Sequence, residues 1–201
     1  MGFVEAFNGS VRKLPVPVVY GLLTLPFAWL LVQLFTGGLG IDPVKALEHQ
    51  LGLTALQLMV LVLAITPLRR ILRLNLLRFR RAIGVMAFVY VVLHLLVWLV
   101  LDVQILAQVW ADILKRPYIT IGMVAFALMI PLALSSNNFA VRKLGPLWAK
   151  LHKLTYAVAL LGAVHFTMLV KGFQIEPVVY LTLVAILLAL RLPPMRKLRL
   201  A

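Results

Sequence analysis

Residues 78–101 read RFRRAIGVMAFVYVVLHLLVWLVL. Three arginines within four residues lead into Ala82–Leu101, a run with no formally charged side chain and one imidazole, His94. About 20 apolar residues in a helix cross the ~30 Å hydrocarbon core of a bilayer. Arginines gather on the cytoplasmic side of such helices. The stretch therefore predicts a transmembrane helix that starts inside and carries a histidine at depth.

The remainder of the chain repeats this pattern. Of 201 residues, 63% are hydrophobic and only 13% charged, against about a quarter charged in soluble domains. Six spans are expected, at roughly 16–36, 50–66, 82–101, 117–134, 151–170 and 177–192. Pro67, Pro117, Pro146 and Pro177 fall at or near their boundaries. The connections are short, so residues 1–201 are expected to form a single domain, an all-α polytopic membrane helix bundle. The first twenty residues lack a basic region followed by an apolar run and a cleavage site, so no removable signal peptide is expected.

The net charge of +14 follows from topology. Arg12 and Lys13, the six arginines between Arg69 and Arg81, Arg142 to Lys153, and Arg191 to Arg199 would share one side. That side holds sixteen of the twenty basic residues. Both termini are thus expected in the cytoplasm. The arginine cluster 69–81 suits anionic membrane lipid by default, with a flavin phosphate or an acidic cytoplasmic partner as alternatives, and nucleic acid is not an expected partner. With no cysteine, thiolate metal sites and iron–sulfur clusters are excluded. Neither GxGxxG nor a P-loop is present, so a reductant such as NADH would be used by another protein.

Ionisable residues inside membrane helices are rare and usually face a site, although a lone histidine can serve only as packing glue. His94 and His165 lie about twelve and fourteen residues into helices that run in the same direction. At ~1.5 Å per residue both sit ~18–21 Å from the inner boundary. Two imidazoles at one depth can grip a planar metal cofactor from both faces, and haem is the natural candidate. His152 precedes His165 by thirteen residues, a turn of about 220° on an ideal helix, and so either serves a second, inner site where the helix is irregular or faces the interface. Arg80 lies fourteen residues before His94, about 40° off the same face. It is either a site residue or one more inside charge. His49 is expected to be solvated at the outer surface. Tyr90 and Trp98 flank His94 at i−4 and i+4, either walling a cofactor edge or packing in the core.

Five stretches resemble one family. They are GGLGIDPVKALEHQLGLTAL (37–56), ITPLRR (65–70), RFRRAIGVMAFVYVVLH (78–94), KRPYITIG (115–122) and RKLGPLWAKLHKLTYAVALLGAVHF (142–166). In order and content they are similar to MsrQ, the haem-binding membrane subunits of the bacterial periplasmic protein-methionine-sulfoxide reductase system. MsrQ belongs to the ferric-reductase-like transmembrane group. The resemblance implies an inner-membrane electron carrier binding one or two b-type haems, with FMN as a possible further cofactor. It implies electrons taken from a cytoplasmic flavin reductase or the quinone pool. They would pass to a periplasmic molybdopterin methionine-sulfoxide reductase subunit. It implies Arg80, His94, His152 and His165 as haem-site positions, the three histidines as metal ligands, and His49 as a further matching histidine. Larger members of the group carry a histidine pair on each of two helices, and here Arg80 replaces one of those four.

The expected role is therefore electron transfer within an oxidoreductase system, without a substrate-reducing site in this chain. The rival class is a cofactor-free transporter or proton pathway using the same histidines. All six carboxylates fall near helix ends or loops, and no inverted repeat is evident, both of which weigh against it.

Overall fold

The computed structural model describes residues 2–170, 172 and 174–191. Lys171, Arg196, Lys197, Arg199 and residue 192 of the sixth expected span lie outside the described residues. The fold is all-helical among those described. In chain order the helices are α1 (Phe3–Lys13), α2 (Val16–Thr36), α3 (Pro43–Ile71), α4 (Arg80–Leu96), α5 (Leu106–Lys115), α6 (Pro117–Leu134), α7 (Asn138–Leu144), α8 (Pro146–Leu151), α9 (Leu154–Leu169) and α10 (Ile175–Ala189). A π-helical segment, Val97–Val103, continues α4.

The chain is a multi-pass membrane protein. Among the described residues, four helices are long and apolar enough to cross a bilayer: α2, α3, α4 with its π segment, and α6. The other two expected spans form apolar helices of 16 residues (α9) and 15 residues (α10). Many large apolar side chains face outward, as a hydrocarbon solvent permits. Along α2 these include Leu22, Leu25, Trp29 and Phe35, and only Val19 and Leu30 of that helix are buried. The main packing pairs are α3 with α4 and α6 with α9, while α10 lies on α9 and α3.

The basic segments come together at one end of the bundle. In α1, Asn8 donates to the Arg73 carbonyl and accepts from the Asn75 amide, fixing the N-terminal helix on the α3–α4 loop. Arg81 donates to Asn138 at the start of α7. Arg191, just past α10, donates to the carbonyl of Leu63 at 2.6 Å and to the hydroxyl of Tyr156 at 3.0 Å. The Leu63 carbonyl needs that donor, because Pro67 lies inside α3 and has no N–H to offer four residues on.

A proline also lies inside α2, and there a side chain intervenes one residue further on. Beside Pro26, the hydroxyl of buried Tyr90 enters the helix ladder, accepting from the Phe27 amide at 3.1 Å and donating to the Leu23 carbonyl at 2.8 Å. Tyr90 is thus a core residue joining α4 to α2.

Candidate functional site

Between α3, α4, α6 and α9 lies a cavity of about 400 Å³, within the range of cofactor pockets. His94 and His165 both line it. Their ring centres stand 6.4 Å apart with planes at 82°. The equal depth expected from the sequence brings the two imidazoles to opposite sides of one cavity, edge-on to each other.

Each ring is held in the same way. Nδ1 of His94 lies 2.8 Å from the Glu48 carbonyl of α3, and Nδ1 of His165 lies 2.7 Å from the Tyr118 carbonyl of α6. A carbonyl only accepts, so Nδ1 carries the proton and the neutral ring keeps its lone pair on Nε2. Four residues after each of those carbonyls comes a glycine. A Cβ on Gly52 would meet His94 Nδ1 at 3.1 Å, and one on Gly122 would meet His165 Nδ1 at 2.9 Å. The absent side chains give each ring room against the neighbouring backbone. Residues 48–52 (EHQLG) and 118–122 (YITIG) therefore form two equivalent cradles. Sequence reasoning missed both glycines; their common four-residue offset becomes informative once the opposing helix face is known.

This donor set suits a planar metal cofactor. A metal bound to both rings would lie about 2 Å from each nitrogen, which spaces the ring centres on the order of 6 Å. Among the described residues, no three or more His, Asp or Glu side chains converge on a metal site. A bare zinc site, which wants three or four protein ligands, is not supported by this set.

Other lining residues come from unexpected places. His49 is in the second turn of α3 and packs against Phe166, with ring centres 5.5 Å apart, on the cavity wall. The reason is that α3 begins at Pro43, well before the span expected from residue 50. Trp98 and Asp102 line the cavity from the π segment. The eight-residue step from His94 to Asp102 would turn about 80° off the face in a regular helix. Wider π turns, which often occur at functional sites, keep Asp102 on the cavity side. At the mouth, Arg116 pairs with Asp112 at 3.2 Å and donates to the Tyr118 hydroxyl at 3.3 Å. That phenol oxygen, with Asp112, holds the exposed guanidinium above its ordinary pKa.

His152 and Arg80 are not brought to this cavity. His152 sits in the turn between α8 and α9, its Nε2 3.1 Å from the Ser135 hydroxyl and its ring stacked on Trp148 at 3.9 Å. The expected divergence from His165 is realised by this break before α9 as well as by helical phase. Arg80 opens α4 at the arginine-rich end, partly buried, with no side-chain hydrogen bond or ion pair among the described residues.

Comparison with known proteins gives a family. The model of the ferric reductase like transmembrane component matches residues 51–163. Proteins named protein-methionine-sulfoxide reductase heme-binding subunit MsrQ, from Brucella ovis, Brucella canis and Brucella melitensis, are each 48% identical over 169 residues. The alignments cover 84% of this chain and 77% of each relative. No solved structure matches.

Proposed function

The chain belongs to the MsrQ family of ferric-reductase-like transmembrane proteins, and from that premise we propose that it is a haem-binding electron carrier of the inner membrane. The observation that carries this reading is the pair of imidazoles 6.4 Å apart, each with Nδ1 committed to a carbonyl and Nε2 left as a ligand. His94 and His165 are the residues that would hold a b-type haem, each through Nε2. Bound haem supplies one-electron carriage between ferric and ferrous iron. The protein sets the conditions. The Glu48 and Tyr118 carbonyls fix the tautomer and raise the basicity of each ligand, and Leu56, Met59, Met129 and Val158 keep the deeper wall apolar.

The direction of transfer follows from the site's position. His165 is held by the second residue of α6 and His94 by the sixth of α3. Both helices start at the arginine-poor end, so the pair is displaced toward the side read as periplasmic. From there electrons pass to a periplasmic molybdopterin enzyme that reduces methionine sulfoxide. At the arginine-rich end, His152 and Arg80 form the second, inner cofactor position, for a haem or FMN. It accepts electrons from a cytoplasmic flavin reductase or quinone. A metal-ligand role for His152 Nε2 would break its present hydrogen bond with the Ser135 hydroxyl. All six apolar helices cross the membrane, residues 1–201 act as one domain, and this chain reduces no methionine sulfoxide itself.

The test is the visible spectrum of detergent-purified protein, oxidised and dithionite-reduced, with haem counted per chain. A sharp reduced b-type band with one haem supports His94–His165 alone, and two haems support the inner position as well. Protein that stays colourless after haem-supplemented expression overturns the reading in favour of a transporter.

A further inference from the structure

The cavity is graded along its length. Its deep wall is apolar, whereas all four of its charged lining residues, Lys45, Glu48, Asp102 and Arg116, belong to the arginine-poor end of their helices. The two cations are placed alike. Lys45, in the first turn of α3, precedes by three residues the Glu48 carbonyl that holds His94. Arg116, the residue that opens α6, precedes by two the Tyr118 carbonyl that holds His165. Each helix start thus supplies one clamp for an imidazole and, two or three residues earlier in the chain, one cation. Asp112 and the Tyr118 hydroxyl hold the Arg116 guanidinium in position.

We propose that Lys45 and Arg116 bind the two carboxylates on one edge of the cofactor, so that the macrocycle enters with its apolar edge toward Met59 and Met129 and its anionic edge toward the arginine-poor end. The proposal rests on the haem reading above. The chemistry is ordinary charge pairing at the boundary of an apolar site, where cation–carboxylate hydrogen bonds are stronger than neutral ones. Glu48 and Asp102 face the same mouth with the opposite sign, and their neutralisation acts in the opposite direction.

The experiment compares two ligands on the full chain produced in haem-deficient cells. Protein in detergent is titrated with iron protoporphyrin IX and with its dimethyl ester, which keeps the ring and iron but not the carboxylate charge. Binding is read from the Soret band. The expected result is at least a tenfold preference for the free acid. That preference is lost in Lys45→Gln/Arg116→Gln, which still gives the six-coordinate bis-imidazole spectrum with the ester. It is retained in Lys45→Arg/Arg116→Lys and increased in Asp102→Asn. Asp112→Asn removes the ion pair but not the guanidinium charge, and so also retains it. Equal affinity of the unaltered protein for both ligands overturns the proposal by itself, whether or not the variants fold. An undiminished preference in the double glutamine variant, or one lost as fully in Asp112→Asn as in Arg116→Gln, overturns it too. Failure of the unaltered protein to bind either ligand is a different outcome: it removes the haem reading and this proposal with it.

Discussion

A Cβ at residue 122 would lie 2.9 Å from Nδ1 of His165, closer than real Cβ contacts come, and at residue 52 it would lie 3.1 Å from Nδ1 of His94. Elsewhere in a helix, Gly→Ala stabilises by about 1 kcal/mol. Here the added methyl must push the imidazole off its carbonyl, so the sign reverses for the site. Loss of such an outer hydrogen bond typically costs on the order of 10–100-fold in metal affinity. Gly122→Ala should therefore weaken haem retention by about that factor and Gly52→Ala by less, measured as haem per chain after gel filtration. Full retention in Gly122→Ala would show that the close glycine contact is incidental. Matched depth made His94 and His165 legible in the sequence, because 1.5 Å per residue fixes height on any straight helix. The glycines and the cavity face of His49 were not legible. They depend on how α3 and α6 are rotated about their axes and on α3 starting seven residues early.

Among the elements, α2 and α3 each contain a proline, and beside each one a side chain from elsewhere in the bundle bonds the helix backbone. Tyr90 of α4 bridges Phe27 and Leu23 beside Pro26, and Arg191 after α10 caps the Leu63 carbonyl left by Pro67. Unsatisfied backbone groups are costly where lipid replaces water. Removing one partner of a buried hydrogen bond costs about 1–3 kcal/mol. Tyr90→Phe should lower the thermal midpoint in detergent by roughly 2–10 °C and leave the haem spectrum unchanged, since its hydroxyl is committed to α2. A lost or altered spectrum at normal stability would instead make Tyr90 part of the cofactor wall. Arg191→Ala should destabilise comparably, measured as the same midpoint, because it uncovers the Leu63 carbonyl and the Tyr156 hydroxyl together. The long apolar stretches were readable because a helix of about 20 apolar residues is what a bilayer requires, and four helices among the described residues meet that length. The π segment Val97–Val103 and the short amphipathic α5 were not, since nothing in local propensity marks a π turn and α5 is shaped by what it packs against.

For the whole molecule, function depends on which way the bundle faces. The structure gathers α1, the α3–α4 loop, the start of α7 and Arg191 at one end, and the positive-inside rule predicts a cytoplasmic position for that end. The absence of cysteine makes this directly testable, because any introduced thiol is unique in the chain. Ile41, fully exposed between α2 and α3, marks the arginine-poor end, and Leu72, 52% exposed after α3, marks the other. Both are surface positions, where substitution usually shifts stability by no more than about 0.5 kcal/mol. In intact spheroplasts Ile41→Cys should react with a membrane-impermeant maleimide, and Leu72→Cys should react only after permeabilisation. The reverse pattern would turn the His94–His165 pair toward the cytoplasm. An electron leaving that pair would then have most of the ~30 Å hydrocarbon core still to cross, and His152 with Arg80, now at the periplasmic end, would have to be the exit. The two labelling outcomes therefore decide which cofactor position donates to a periplasmic acceptor as well as the orientation of the chain.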